Sequence, residues 1–456
     1  MAAGFTIRAS LFHTPAPDTL EHRERQLVTV DDTGRIESVV PDDPGHDRTV
    51  PVGVDLDLGP DTVLLPGLID THIHAPQWPQ LATGLDLALE DWLFAHTFPL
   101  EARYVDVAFA DRVWESMVPS LLAAGTTTAV YHASIHEPAT SALAAACHRH
   151  GQRAFVGRVA MDHPDGTPEW YRDADAATAV ERSARSVDAI TALPGRADLV
   201  RPIITPRFIP ACTDAALAGL GELAAATGTR VQTHCSESDW EHGHVLDRHG
   251  MTDAASLERF GLVADHTVLA HATHLTGDDR IRLIGRGAGV AHCPLSNAYF
   301  ANAVFPARAS IDAGLRVGLG TDIAGGADGA LLAQCGHAVT SSRLLESGVD
   351  VSRDPADRGV PASRIDIVTA FWMATVGGAD LLGLPVGLLA PGRAFDAIAV
   401  DLGGLGIWDE VDDPARVFEK IVRRADRSAI RQVWVDGVDV TPKASDRSTA
   451  SGTGSG

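Results

Sequence analysis

Lysine is almost missing from this chain of 456 residues: Lys420 and Lys443 are the only two, and every other strong base is arginine. Positive charge is scarce altogether, with 37 Lys and Arg against 60 Asp and Glu and a net charge of −23. That balance excludes a nucleic-acid binder, whose affinity rests on neutralising phosphates, and equally a reader of anionic membrane surfaces. The acidity serves solubility. Cysteine is also scarce. Cys147, Cys212, Cys235, Cys293 and Cys335 are dispersed, odd in number and free of any C-x-x-C spacing. This excludes a disulfide framework and fits reduced thiols. No apolar run is long enough to span a bilayer, and residues 1–8 lack a signal-peptide core. The expectation is a soluble cytoplasmic protein.

What is present is ample core material: 45% of residues are hydrophobic, and 43 Gly and 26 Pro mark many turns. The length suits two or three units or one large barrel. Residues 1–64 read as short strands at 5–11, 26–30, 36–40 and 62–65, with turn chemistry at 31–34 and 41–45. From residue 65 short apolar runs alternate with helix-length segments. The strands are expected at 65–72, 126–132, 153–161, 200–205, 230–236, 267–271, 289–292 and 316–320. Helices are expected at 105–124, stopping at Gly125, at 213–227 before Gly228, and at 278–283 before Gly285. The alternation predicts an α/β fold, a (β/α)8 TIM-like barrel over residues 65–386. The long connection after the first strand, with 85–98 at its centre, is expected to build the pocket. Strands return at 397–401 and 432–435. Residues 1–64 and 387–444 are each too small for a core of their own, so they are expected to combine into one small composite β domain. The Ser/Thr/Gly-rich stretch 445–456 is expected to be a disordered tail.

Chemistry is concentrated at the ends of the expected strands. His72 and His74 lie two residues apart, so in a strand both imidazoles point to one side. His234 ends the fifth strand, His271 the sixth, and Asp322 follows the eighth. In a barrel all these ends converge on one face, where three or four imidazoles and a carboxylate make a divalent metal site. A metal with an open position yields a nucleophilic water at neutral pH. Glu237, three residues past His234, is placed to accept that water's proton and later protonate a leaving group. His132 and His136 follow the second strand and receive no role.

The segments Pro66-Gly-Leu-Ile-Asp-Thr-His-Ile-His74, His234, His271 and Gly320-Thr-Asp322 resemble the metal-dependent amidohydrolase superfamily, and the motif from Gly387 to Asp396 fits it too. The resemblance implies that the terminal β pieces form a composite β-sandwich beside the barrel. Binuclear members of that superfamily bridge two metals with a carboxylated barrel lysine. No lysine precedes Lys420 here, so that arrangement is excluded and a mononuclear site remains. The stretches His74-Ala-Pro-Gln77, Asp91-Trp-Leu93, Thr97-Phe-Pro-Leu-Glu101, residues 151–162, residues 200–208, His234-Cys-Ser-Glu237 and residues 318–326 narrow the resemblance to its guanine deaminase branch. The branch implies one zinc ion per chain on His72, His74, His234 and Asp322, although such a donor set also accepts Fe2+ or Mn2+. It implies Glu237, His271 and Asp322 as catalytic residues. It further implies Gln77, Trp92, Arg207 and Phe208 as contacts to a small purine, and a homodimer. The implied reaction is hydrolytic deamination of guanine in purine catabolism or salvage. The nearest alternative is the same chemistry on 8-oxoguanine, a pterin or an aminotriazine. Cyclic amide hydrolysis and a non-catalytic scaffold stand further off. Leu295 departs from the branch, which often carries a polar residue at that position of its His-Cys-Pro-x-Ser-Asn motif.

Overall fold

Eight parallel strands alternate with helices along the middle of the chain. In the computed structural model, which describes residues 4–42 and 53–443 apart from 197, 302 and 409, they form one sheet. Its order runs Val200–Pro202, Arg153–Gly157, Thr126–His132, Leu68–His74, Arg316–Leu319, Gly289–His292, Val268–His271 and Gln232–Cys235. The two outer strands also meet. Ile204 and Val231 form a parallel bridge, with the Ile204 N–H on the Arg230 carbonyl at 2.8 Å and the Gln232 N–H on the Ile204 carbonyl at 2.9 Å. Six of the eight strands are buried along their whole length, and only one end of the other two reaches intermediate exposure. Burial on both faces is why they read as unbroken apolar runs rather than as alternating ones.

Helix ends follow local chemistry. Asp106 caps Val107–Ala123 through the Ala108 N–H, and Gly125 just beyond has φ +88°. Thr213 caps Asp214–Thr227, which stops at left-handed Gly228. The helix expected at 278–283 runs from Gly277 to Arg286. Its Thr276–Asp279 capping box starts it early, and it passes Gly285 to end at Gly287, the glycine whose φ is positive.

Both ends of the chain contribute to a second, mixed sheet ordered Val438–Asp439, Ile430–Val435, Ala397–Asp401, Thr62–Pro66, Phe5–Ala16, Thr19–Val30 and Ile36–Pro41, with Leu56–Asp57 beside Phe5–Ala16. Ile7, Leu11, Val28, Phe395 and Trp434 pack its core. The boundary expected at residue 65, between strands 62–65 and 65–72, therefore falls at Gly67. Thr62–Pro66 pairs with Ala397–Asp401, and Leu68–His74 enters the parallel sheet. Gly67 sits at the crossing, where a Cβ would lie 2.3 Å from Thr127 Oγ1. The strand expected at 153–161 divides: Val159–Ala160 leaves the main sheet to pair with Thr205–Pro206. The C-terminal segment adds the helix Pro414–Arg424, which buries Phe418, Ile421 and Val422. The expected tail at 445–456 and most of the turn at 41–45 lie outside the described residues. Among the described residues no helix is long and apolar enough to cross a membrane.

Candidate active site

The register of the parallel sheet brings its polar strand ends to one level. Cys235 is the cross-strand partner of His271, His292 of Leu319, Leu319 of Asp70, and His74 of His132. His72, His74, His234, His271 and Asp322 are all buried at this level. His72 Nε2 lies 3.1 Å from Asp322 Oδ1, and His74 Nε2 lies 3.5 Å from the same oxygen. His74 and His234 face each other at 2.9 Å between their Nε2 atoms. The ligand atoms fall into interlocking triads within 4.8 Å: His72, His74 and His234; His72, His271 and Asp322; His234, Glu237 and His271.

These rings are held rather than merely adjacent. His234 sets Nδ1 against the Arg207 carbonyl, which can only accept, so its Nε2 is left bare toward the cluster. His271 Nδ1 meets Asn297 Oδ1 at 2.9 Å, turning Nε2 toward Glu237 Oε1 at 3.7 Å and Asp322 Oδ2 at 4.0 Å. Beneath them Asp70 accepts the Thr321 N–H at 3.0 Å and the His72 N–H at 3.3 Å, tying the first and last strands together. The backbone at the strand ends is bent accordingly: His271 has φ +68°, Asp322 +49° and Ser236 +44°. Such left-handed non-glycine residues cluster where a site dictates geometry. Gly325 is needed beside Asp322, since a Cβ there would stand 2.5 Å from Oδ2.

The donor set fits a divalent cation. Burial holds His74, His132 and His234 well below the usual imidazole range, so they are neutral, as ligands must be. Burial pushes Asp322 up, but the hydrogen bond and charge of His72 and the charge of His271 outweigh it and leave the carboxyl below its ordinary range. His271 Nε2 is buried without a hydrogen-bond partner, an arrangement that is costly without a cation beside it. Burial, reinforced by the Asp322 charge and opposed by Arg207, pushes Glu237 well above the carboxylate range.

A pocket of about 390 Å³ opens onto the cluster, lined by Gln77, Trp92, Arg207, Phe208, Glu237 and Phe300 among others. Gln77, Trp92, Arg207 and Phe208 thus join the metal cluster in one cavity. The connection after the first strand supplies part of the wall, with Leu89, Trp92 and Leu93 on the pocket and Phe94 about half exposed. Two π-helical turns, Leu93–Thr97 and Asn297–Ala301, place Leu93 and Phe300 there, an irregularity frequent at functional sites. His132 lies among the ligands, its ring 4.7 Å from His72 and 4.9 Å from His234, with both nitrogens unpartnered. His136 does not line the pocket; it stands at the N-cap position of the helix Glu137–His150 without a side-chain capping bond. Sequence reasoning gave no role to Glu101 or Asn297. Glu101 is buried and receives Gln77 Nε2 at 3.0 Å and the Arg207 guanidinium at 2.6 and 3.2 Å. Their partners are 24 to 106 residues away, beyond any local signal.

A model of the amidohydrolase family matches residues 63–440 of the chain. A probable guanine deaminase of Schizosaccharomyces pombe is 36% identical over 389 residues, covering 83% of this chain and 72% of its own. The crystal structure of a guanine deaminase from C. acetobutylicum with guanine bound in the active site superposes with a TM-score of 0.85 at 27% identity, over 96% of this chain and 99% of that one. An adenosine deaminase from Xanthomonas campestris with bound zinc gives a TM-score of 0.79 at 25% identity, over 96% and 92% of the two chains.

Proposed function

Since the chain belongs to the amidohydrolase family, we propose that it hydrolyses guanine to xanthine and ammonia, in purine catabolism or salvage. The observation that carries this reading is the opening of one pocket onto both a His/Asp cluster and the guanidinium and amide of Arg207 and Gln77. The guanine held by the C. acetobutylicum relative supports it. Residues 65–386 are taken as a (β/α)8 barrel, residues 1–64 and 387–444 as the halves of a composite β-sandwich. The enzyme is placed in the cytoplasm, in keeping with five buried free cysteines. It works as a homodimer, as the family resemblance implies.

One zinc ion would be held by His72, His74, His234 and Asp322, and when bound it supplies an activated water at neutral pH. Glu237 accepts a proton as that water attacks the purine carbon bearing the exocyclic amine. His271 accepts the water's other O–H at Nε2, aiming the oxygen lone pair at the ring. Asp322 shares in moving the second O–H proton, which ends on the adjacent ring nitrogen as the carbonyl forms, and Glu237 returns the first proton to the departing nitrogen. A carboxyl raised by burial suits a group that must give its proton back near neutrality. Arg207 holds the purine carbonyl oxygen, Gln77 hydrogen-bonds to the ring, and Trp92 and Phe208 bound its faces.

The test is ultraviolet absorbance of guanine, adenine, 8-oxoguanine, pterin and an aminotriazine with zinc-loaded protein. Guanine should be turned over fastest. No change with guanine would overturn the reading, and a faster rate on another heterocycle would reassign the substrate.

A further inference from the structure

Glu101 closes a network whose hydrogen-bond directions have one solution. Its two carboxyl oxygens face the Arg207 guanidinium, which can only donate: NH1 reaches Oε2 at 2.6 Å and NH2 reaches Oε1 at 3.2 Å. Oε1 also takes the Gln77 side chain at 3.0 Å. On its other side Gln77 meets the Ala324 main-chain N–H at 3.1 Å, and an N–H can only donate. An acceptor on one flank and a donor on the other leave the Gln77 amide a single orientation. Its oxygen faces the Ala324 N–H, its nitrogen is tied to Glu101 by one hydrogen, and its second N–H is left over. Arg207 likewise has only N–H groups to offer. Glu101 does not line the pocket, and it is itself 1% exposed. Phe98 backs the guanidinium, its ring centroid 5.0 Å from the Arg207 carbon.

We propose that Glu101 is the positioning residue that orients the Arg207 and Gln77 N–H groups in this pocket wall, and that these donors thereby select 6-oxopurines over 6-aminopurines. This rests on the purine reading above. Along one edge a 6-oxopurine presents two acceptors, O6 and N7, whereas a 6-aminopurine replaces O6 there with an N–H donor; N1, a donor in the first and an acceptor in the second, lies on the other side of O6. Set against the Arg207 and Gln77 N–H groups, that donor meets another donor, a mismatch that hydrogen-bonding sites reject strongly. Were Gln77 free to turn its amide over, it would offer an acceptor and the distinction would fade. Glu101 and the Ala324 N–H together prevent the turn.

Two measurements test this. In the zinc-loaded wild type, hypoxanthine should compete with guanine at least about 100-fold more tightly than adenine does; affinities within threefold of each other would overturn the proposal. In Glu101→Gln, whose new amide no longer compels the Gln77 orientation, KM for guanine should rise about tenfold with kcat and zinc content little changed. The preference for guanine over 2,6-diaminopurine, both read at the 2-amino group, should fall by about the same factor. A merely structural role would lower kcat and thermal stability together and leave that preference intact, which would also overturn the proposal. If the variant does not fold, the wild-type comparison still decides. If guanine is not turned over at all, the purine deaminase reading fails by itself; calorimetric binding of hypoxanthine and adenine then reads the wall without catalysis.

Discussion

The main-chain carbonyl of Arg207 accepts the Nδ1–H of His234, so one residue orients a ring of the metal cluster with its backbone and lines the pocket with its side chain. The two functions are separable because a substitution changes only the side chain. Arg207→Gln should raise KM for guanine by about 10- to 100-fold, the scale of a hydrogen bond to a charged group, and leave bound metal unchanged by elemental analysis. An unchanged KM would remove Arg207 from the pocket wall. Metal lost along with affinity would mean that the backbone tie depends on the guanidinium.

Glu237 offers the complementary separation. It faces His271 at 3.7 Å, yet the cluster retains three other imidazoles and Asp322 without it. Glu237→Gln keeps the shape and removes the proton acceptor, so kcat should fall by about 10² to 10⁴-fold with metal content intact. Activity surviving this change would show that the shuttle is another group.

The clustering of these side chains was readable because a parallel strand exposes its polar chemistry only at its end, and His72, His74, His234 and His271 each close an apolar run. Asp322 was readable for the same reason, following Gly320-Thr321. What connects them was not readable. Asn297 meets His271 across 26 residues and Glu101 meets Arg207 across 106, contacts that only the closed sheet and the long first connection create. The division between the two sheets was legible, and only its place was off, at residue 65 instead of Gly67, since the residues on both sides of the break are buried and therefore apolar whichever sheet they join. The helix Pro414–Arg424 went unseen between two strands although Phe418, Ile421 and Val422 sit at helical spacing.

The lack of any lysine before Lys420 and the one cluster of buried His and Asp donors among the described residues lead to a stoichiometry. Elemental analysis of purified protein should find about one zinc per chain, and two metals would overturn the mononuclear reading. A chelator should abolish turnover, zinc should restore it, and the unloaded protein should melt at a lower temperature, because a ligand bound only by the native state stabilises it. His234→Ala should lose metal in the same assay.

Away from the site, Arg153 joins the two sheets through a buried charge cluster. It lies at the start of its strand, at the end opposite the strand ends that carry the histidines. Arg153 Nε reaches Asp396 Oδ2 at 3.1 Å, and its NH2 reaches Asp436 Oδ1 at 2.8 Å. Burial pulls the guanidinium down, while the charges of Asp396 and Asp436 hold it above its ordinary value. Arg153→Met would leave both carboxylates buried without this cation, a defect worth about 3–5 kcal/mol in urea denaturation, with kcat per folded molecule unchanged. The sign of its pH dependence follows from Asp396. Burial already raises that carboxyl and Arg153 opposes the rise, so without Arg153 the folded state holds its proton to higher pH than the unfolded chain does. Stability of the variant should then fall as pH rises through that carboxyl's folded value, making the loss larger at alkaline than at mildly acidic pH. A loss below about 1 kcal/mol, or one that does not grow as pH rises, would show that Arg196, which also reaches Asp436 at 2.7 Å, carries the cluster alone.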